Sequence, residues 1–180
     1  MNLWHDVSRG DNIPHELNVI IEIPAGSPNK YEIDKETGLI ALDRANYSSA
    51  PYPFDYGFVP QTLWDDGDAL DVMVLSTFPL STGILVRVRP VAVMEMIDGG
   101  ESDYKIIAVV AEDKRWDDVQ DLEDINTHNL KEYKHFFETY KELKKGEKDI
   151  VSIPGISGKK EALEAVEKSI KLYEDQFGQK

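Results

Sequence analysis

The sequence predicts a mainly β domain, in which an antiparallel sheet closes into a small barrel and two helices flank it. Short apolar runs with a period of two fill the chain before about Asp113, and an apolar period of three to four residues replaces them afterwards. Several short strands without intervening helices are typical of a closed sheet. Because 41% of the 180 residues are hydrophobic, we expect residues 1–180 to form a single domain around one core.

The strand signals begin at Leu17, from which apolar residues alternate as far as Ile23. The other predicted strands are residues 39–43, 70–75, 84–88, 91–96 and 104–111. Residues that favour turns separate them at 24–29, 65–68 and 98–100.

Two amphipathic helices are predicted after Asp113. The first begins at an N-cap provided by Asn126 or Thr127, and its stripe is Leu130, Tyr133, Phe136 or Phe137, Tyr140 and Leu143. We expect its last turn to hold Lys144 and Lys145, with Gly146 at its end. The second is predicted from Ser157 to Gly178, with the stripe Leu163, Val166, Ile170, Tyr173 and Phe177. A single apolar stripe on each helix predicts that both pack against the barrel rather than cross its middle.

Composition narrows the classes of function. A formal net charge of −14 repels polyanions, which argues against a nucleic-acid-binding protein. The absence of cysteine excludes disulfides, thiolate nucleophiles and thiolate metal sites, so any bound metal needs mainly oxygen ligands. No run is apolar enough to span a membrane, and residues 1–6 lack the features of a secretion signal. We therefore expect a cytoplasmic protein with no membrane partner.

The densest chemical signal is the segment 66–71, which holds the carboxylates of Asp66, Asp68 and Asp71. A turn can direct the first two to one side, and Asp71 in the following strand can face that side too. Converging like charges cost free energy unless protons or divalent cations neutralise them, and oxygen-only ligation favours Mg²⁺ or Mn²⁺. An ordinary acidic turn is the alternative for this segment taken alone. A calcium loop of the EF-hand type does not fit, because Thr77 stands where its bidentate glutamate belongs.

Other residues gain meaning as partners of this segment. A second acidic turn contains Asp98 and Asp103 and is followed by Lys105, although taken alone it is typical of a hairpin tip. Lys30 and Arg44 lie near strand ends, where a lysine or arginine is usually an exposed surface residue. Phosphate binding, however, requires fixed positive charges of this kind. The aromatic run at residues 52–58 is ordinary core material whose tyrosine hydroxyls need partners wherever they are buried.

Taken together, these segments resemble the soluble family I inorganic pyrophosphatases. The similarity is carried by residues 19–24, 30–34, 52–57, 66–71, Asp98 with Asp103 and Lys105, and 135–141, in the order and at the spacing of that family. It covers about residues 12–145, while the closing helix matches in type only. One departure is Ala69, where the family signature usually has proline or glutamate; the three acids of the segment are intact.

The resemblance implies a five-stranded barrel similar to an OB-fold, and hydrolysis of pyrophosphate to two phosphates by a water activated between Mg²⁺ ions. It implies roughly three or four Mg²⁺ ions per active site, with Mn²⁺ or Zn²⁺ as substitutes and Ca²⁺ as an inhibitor. The implied metal ligands are Asp66, Asp71 and Asp103 for the tightest ion, Asp71 again for a second, Asp98 and Asp103 near the substrate, and Glu22 and Glu32 through water. The implied phosphate-binding residues are Lys30, Arg44, Lys105, Tyr140 and Lys141. Tyr56 would lie beside the nucleophile and the substrate, and Asp68 would be the base that assists the water.

Two other classes of function stay open on the sequence. A non-catalytic OB-like barrel that binds an anionic ligand or nucleic acid would need a basic, aromatic-lined face, whereas here acids cluster in the turns. A hydrolase of larger substrates, such as nucleoside triphosphates, would need a base-binding segment, and none is recognisable. The resemblance further implies a homo-oligomer, which we expect to be a hexamer.

Overall fold

The computed structural model describes residues 1–144 and 150–178. Its strands are β1 (Leu17–Ile23), β2 (Asn29–Ile33), β3 (Ile40–Ala45), β4 (Asp55–Phe58), β5 (Asp71–Leu75), β6 (Leu85–Asp98), β7 (Glu101–Ser102), β8 (Lys105–Val110) and β9 (Val151–Gly158). Its α-helices are α1 (Thr127–Thr139) and α2 (Lys159–Phe177). Two short 3-10 helices, Lys114–Trp116 and Leu122–Asp124, connect β8 to α1. No helix in the described ranges has the length and apolar character needed to cross a membrane.

Five strands form a closed ring, in which β1 pairs with β4, β4 with β5, β5 with β8, β8 with β6, and β6 again with β1. All these pairings are antiparallel except β5–β8, which is parallel and sets Asp71 opposite Lys105. Strands β7 and β9 also pair with β6, and β2 and β3 form a separate hairpin. The predicted class, mainly β with a five-stranded OB-like barrel and two flanking helices, is confirmed by the ring of five strands. The prediction that the barrel is antiparallel is wrong for one pair, since β5 and β8 run parallel.

The core has two sides, and alternate residues of β5 contribute to each of them. Met73 and Leu75 join a cluster that contains the buried aromatic residues of α1. Val72 and Val74 join another cluster, which contains Val166 and two buried alanines of α2. Side chains that alternate along a strand point to opposite faces, so each helix covers apolar residues of a different face.

Strands β1 and β4 approach each other closely next to Tyr56. Gly57 lies opposite Ile21, and a Cβ atom added at Gly57 would lie 2.0 Å from the carbonyl oxygen of Ile20. Only glycine fits this approach without moving a strand. Gly57 therefore allows β4, the strand that carries Tyr56, to pair closely with β1.

Helix α1 starts where the sequence predicts and ends earlier. Asn126 is its N-cap, since the side chain accepts hydrogen bonds from two backbone N–H groups of the first turn, a contribution of about 1 kcal/mol. The helix stops at Thr139, and bonds between residues three apart replace the helical ladder in 139–144. The predicted extension to Leu143 is therefore wrong, and Leu143 is 69% exposed. The predicted positions of Lys145 and Gly146 lie outside the described residues.

Helix α2 matches its prediction except at its start and along part of its stripe. Ser157 belongs to β9 rather than to the helix, and Gly178 is the C-cap at a φ of 82°. Val166 and Tyr173 are buried as predicted. Phe177, by contrast, is 41% exposed, because the buried stripe is rotated toward small residues such as Ala162.

The strand pattern did not predict β2, β4, β9 or the two-residue β7, and it divided β6 into two strands. All four residues of β4 are buried, so it has no alternation to detect. β9 contains Pro154 and two glycines, and β2 is largely polar and pairs only with β3. Pro90 and Ala92 form an irregularity within β6 that lets one strand continue through the predicted break. The predicted apolar residues Leu39 and Leu42 are more than 60% exposed, since the β2–β3 hairpin lies apart from the ring.

Candidate active site

A cavity of about 400 Å³ lies between the β2–β3 hairpin, the two acidic turns and the residues that follow α1. Eight carboxylate side chains and four lysines line it. It brings together the following residues that the sequence singled out: Glu22, Lys30, Glu32, Tyr56, Asp66, Asp68, Asp71, Asp98, Asp103, Lys105, Tyr140 and Lys141. Arg44 is the one predicted site residue that is not on the wall.

The first acidic turn is shaped by Gly67, whose φ of 84° allows the chain to reverse between Asp66 and Asp68. The Gly67 N–H donates to the Trp64 carbonyl at 3.0 Å, and the Trp64 N–H donates to the Asp68 carbonyl at 2.7 Å. The Asp68 N–H also donates to Asp66 Oδ1 at 3.0 Å. These bonds close a tight loop that keeps both carboxylates on the cavity wall.

The buried Lys105 and the partly buried Asp71 and Asp103 form the charged centre of the site. The Lys105 ammonium is 2.6 Å from Asp71 Oδ2 and also contacts Asp103. Burial acts to lower the pKa of Lys105, but Asp103 and Asp71 outweigh it and raise that pKa well above its usual value. Burial raises the pKa of Asp71, against the effect of Lys105. The Tyr56 hydroxyl donates to Asp71 Oδ2 at 2.6 Å, so Asp71 has two donors holding one oxygen.

Two other carboxyl groups on the wall carry raised pKa values. Burial raises the pKa of Asp66 to about 7, and the charges of Asp103 and Asp71 act in the same direction. Burial raises the pKa of Glu22 well above its usual value, and Asp71 adds to the effect. Glu22 Oε1 accepts a hydrogen bond from the Ile33 N–H at 2.7 Å, which ties the hairpin to β1.

The hairpin holds a network of charges around Lys30. The Lys30 ammonium is 2.5 Å from Glu32 and 3.1 Å from Asp43. Burial acts to lower the pKa of Lys30, but Glu32 outweighs it and the pKa is raised. Arg44 lies opposite Lys30 in the hairpin and is 2.5 Å from the same Asp43 carboxylate. Arg44 therefore belongs to the network that holds Lys30, although it does not face the cavity.

The end of α1 brings Tyr140 and Lys141 to the wall. Lys141 forms an ion pair with Asp98 of the second acidic turn. Tyr140 is packed against the rings of Phe136 and Phe137, and burial raises the pKa of its hydroxyl. The early end of the helix thus places two polar side chains at the site.

Sequence reasoning missed several wall residues, namely Trp4, Tyr31, Lys35, Tyr52 and Glu101. Lys35 forms an ion pair with Asp68 and donates to the Gly67 carbonyl at 3.2 Å. Lys35 lies one residue beyond the segment 30–34, whose charged residues the sequence had already indicated as candidates for the site. Tyr52 is 1% exposed and lies within the aromatic run whose hydroxyls needed partners. No sequence signal pointed to Trp4.

The donor chemistry of the wall fits hard cations, because its anionic groups are all carboxylates and outnumber the lysines two to one. Within residues 1–144 and 150–178, no three acidic or imidazole groups are close enough together to form a ready metal-binding group. The carboxylates of Asp71, Asp98 and Asp103 are instead paired with lysines. The wall thus has the right ligands for metal, spaced around ammonium groups.

Comparisons with known proteins agree with this chemistry. The sequence profile of the inorganic pyrophosphatase family matches residues 19–174. The inorganic pyrophosphatase of Haloferax volcanii is 45% identical over 98% of this chain and 99% of its own length. Soluble inorganic pyrophosphatase 2 of Chlamydomonas reinhardtii is 44% identical over 97% of this chain and 89% of its own.

Solved structures agree as well. The crystal structure of inorganic pyrophosphatase from Thermus thermophilus has a TM-score of 0.93 and 45% identity, and it covers 97% of this chain and 99% of its own. An inorganic pyrophosphatase from Helicobacter pylori has a TM-score of 0.88 at 39% identity, over 94% of this chain and 99% of its own. Sequence profile, relatives and fold all match over nearly the whole chain, which therefore belongs to the inorganic pyrophosphatase family.

Proposed function

We propose that this protein hydrolyses inorganic pyrophosphate to two phosphates and requires Mg²⁺ to do so. Membership of the family supports the reaction. The observation that supports the metal requirement is the cavity wall, where eight carboxylates face four lysines. Such an excess of negative charge is unsuited to an anionic substrate unless cations enter with it.

The proposed ligands of the tightest ion are Asp66, Asp71 and Asp103, with Asp71 shared by a second ion. Asp98 and Asp103 would hold metal near the substrate, and Glu22 and Glu32 would reach metal through water. When bound, the ions would make water easier to deprotonate and neutralise charge on phosphoryl oxygens. Mn²⁺ or Zn²⁺ would substitute, since carboxylates accept them as well.

Asp68 is the proposed base. Its side chain is 54% exposed and lies at the cavity, where it can accept a proton from the attacking water. Lys35 contacts its carboxylate and so limits the directions that the carboxylate can take. Tyr56 acts beside it by donating to Asp71 at 2.6 Å, which fixes the orientation of a proposed metal ligand and keeps the hydroxyl at the substrate.

The proposed phosphate-binding set is Lys30, Arg44, Lys105, Tyr140 and Lys141. The three lysines line the cavity and already hold carboxylates there, so a phosphate group can replace a carboxylate as their partner. Positive charge near the leaving phosphate stabilises the charge that develops on it. The role of Arg44 rests on the family resemblance, because its guanidinium pairs with Asp43 off the cavity wall.

Phosphate release is the experiment that tests this function. We expect rapid release from pyrophosphate with Mg²⁺, almost none with EDTA, and little release from ATP under the same conditions. The cavity of about 400 Å³ has many groups for phosphate and no segment that would hold a base. Comparable rates on both substrates would reject the selectivity for pyrophosphate, and equal rates with and without Mg²⁺ would reject the metal requirement.

The assembly and location predicted from the sequence belong to the same proposal. A homohexamer is expected, and exposed apolar side chains such as Leu42 and Phe78, which are 61% and 69% exposed, would supply contact area. Light scattering coupled to size-exclusion chromatography checks it. A cytoplasmic location, one domain over residues 1–180 and the lack of nucleic-acid partners stay predictions.

A further inference from the structure

Trp64 connects the two acidic turns without lining the cavity. It precedes the turn that carries Asp66 and Asp68, and it is 4% exposed. Its indole Nε1 donates to Ser102 Oγ at 3.1 Å. Ser102 directly precedes Asp103 in the second turn, so this hydrogen bond joins the backbone segments that present the two groups of carboxylates.

The β5–β8 ladder does not extend to these two turns, although the second turn is itself paired with β6 through Ser102. The parallel β5–β8 ladder begins with Asp71 opposite Lys105. Asp66 lies before β5, and Asp103 lies before β8, so neither is held by that ladder. The first turn is instead closed on Trp64, through the two backbone hydrogen bonds of 2.7 and 3.0 Å that link it to Asp68 and Gly67. The contacts of Trp64 therefore contribute to the position of the turn, alongside the contacts of Lys35 with Asp68 and the Gly67 carbonyl.

Two side chains, Tyr104 and Lys168, contact the indole ring. Tyr104 stacks against it, with ring centroids 5.1 Å apart and an interplanar angle of 29°. The Lys168 ammonium lies 4.3 Å from the ring centroid and pairs with Asp65 at 2.6 Å. Stacking and cation–π contacts orient a ring as well as attract it. The first turn is thus attached to α2 on one side and to the second turn on the other.

We propose that Trp64 is a positioning residue for metal binding, and that its hydrogen bond to Ser102 sets the separation between Asp66 and Asp103. This inference rests on the proposed assignment of those two carboxylates to one ion. Mg²⁺ demands near-ideal octahedral geometry, whereas Ca²⁺ accepts flexible geometry at longer distances. Loosening the connection between the turns should therefore weaken Mg²⁺ binding more than Ca²⁺ binding.

The test is a calorimetric titration of metal-free protein with Mg²⁺ and with Ca²⁺, alongside thermal unfolding. Trp64→Phe removes the donor and keeps a ring, Ser102→Ala removes the acceptor, and the double variant removes both. One net hydrogen bond corresponds to about a three- to tenfold change in an equilibrium constant. We expect each single variant to weaken Mg²⁺ binding by that factor and Ca²⁺ binding by less than about twofold. The double variant should bind Mg²⁺ no more weakly than the single variants, because all three lack the same bond.

Trp116→Phe is the matched control. The Trp116 Nε1 atom is buried and has no hydrogen-bond partner among the described residues, and Trp116 is not on the cavity wall. Its replacement should leave Mg²⁺ affinity unchanged. Three results would overturn this inference and leave the proposed function intact. They are additive losses of Mg²⁺ affinity in the double variant, equal losses of affinity for both cations, and a lower Tm with unchanged Mg²⁺ affinity. Failure of the unmodified protein to bind Mg²⁺ would overturn the proposed function and this inference with it.

Discussion

Lys105 and Asp71 face each other across the parallel β5–β8 pair and form an ion pair of 2.6 Å, in which the lysine side chain is only 3% exposed. Asp103 contacts the same ammonium group. The lysine thereby compensates two partly buried carboxylates that would otherwise repel each other. The proposed function gives the same lysine a third partner, the phosphate of the substrate.

Replacing Lys105 with methionine should destabilise the metal-free protein by up to about 3 kcal/mol, because it leaves two partly buried carboxylates without a counter-charge. Mg²⁺ should restore part of this loss, so the rise in Tm on adding Mg²⁺ should exceed that of the unmodified protein. Turnover of pyrophosphate should stay low even with Mg²⁺, since the phosphate contact is absent. Thermal unfolding with and without Mg²⁺ measures the first two effects.

Lys134→Met is the control for this variant. Lys134 pairs with Glu138 at 3.7 Å on the surface of α1, and its side chain is 45% exposed. Such a pair contributes little, at most about 1 kcal/mol. If Mg²⁺ raised the Tm of the Lys105 variant no more than that of the control, Lys105 would not be the group that compensates the proposed metal ligands.

The roles of Asp68 and Asp71 should separate in mutants. Asp68→Asn should lower turnover by roughly 10²–10⁴ while tight metal binding largely survives, because it removes a base. Asp71→Asn should weaken metal binding itself, since it changes a proposed ligand that Tyr56 holds at 2.6 Å. Calorimetry and phosphate release on both variants give the answer, and metal loss in the first with retention in the second would reverse our assignment.

The candidate site was more predictable from sequence than the strands that carry it. A turn followed by a strand brings the carboxylates of residues 66–71 together locally, so this part of the site could be predicted. The family resemblance supplied the long-range partners. The positions of Lys35 and Trp4 could not be predicted, because each reaches the cavity only through packing between distant segments. Arg44 illustrates the limit of transfer by position, since its guanidinium pairs with Asp43 and is not part of the cavity wall.

Strand prediction depended on the alternation of apolar and polar residues. It failed where every residue of a strand is buried, and where a segment without alternation is a strand because it pairs with a neighbour. Strand β4 is buried at all four positions, and β9 is a strand because it pairs with β6, despite containing Pro154. The parallel β5–β8 pairing, which brings Asp71 next to Lys105, is a property of the closed ring that no local pattern encodes. The contact between Asp71 and Lys105 therefore depends on the sheet topology, which the sequence pattern did not predict.

Ca²⁺ should bind to the proposed carboxylates without supporting turnover. It accepts oxygen ligands in larger number and at longer distance than Mg²⁺, so it fits an all-carboxylate wall but relaxes the spacing of the reacting groups. Added to the protein with Mg²⁺, it should inhibit, and excess Mg²⁺ should partly reverse the inhibition. A phosphate-release titration at fixed Mg²⁺ measures this, and full activity with Ca²⁺ as the only divalent ion would refute the mechanism.

Asp121 should make stability depend on acid pH, away from the cavity. Its Oδ1 atom accepts hydrogen bonds from the Lys159 N–H at 2.8 Å and the Leu122 N–H at 2.7 Å. It thus ties the 3-10 helix at Leu122–Asp124 to the first residue of α2. These bonds to Lys159 and Leu122 lower the pKa of the Asp121 carboxyl in the folded state.

The sign follows from proton uptake. Because the folded pKa is the lower one, the unfolded chain binds the proton first as pH falls, and the stability from Asp121 is complete only above the unfolded pKa of about 3.9. It is lost as pH falls through the folded pKa. Asp121→Asn keeps an acceptor without the charge, so it should be less stable near pH 7, with a difference from the unmodified protein that shrinks below about pH 4. Urea unfolding across this range measures the difference.

Glu164→Gln is the control, because Glu164 lies at an exposed position and its partner Lys160 is 3.9 Å away. The stability difference between this variant and the unmodified protein should not shrink at low pH. A difference for Asp121→Asn that stayed constant down to about pH 2 would contradict the assignment.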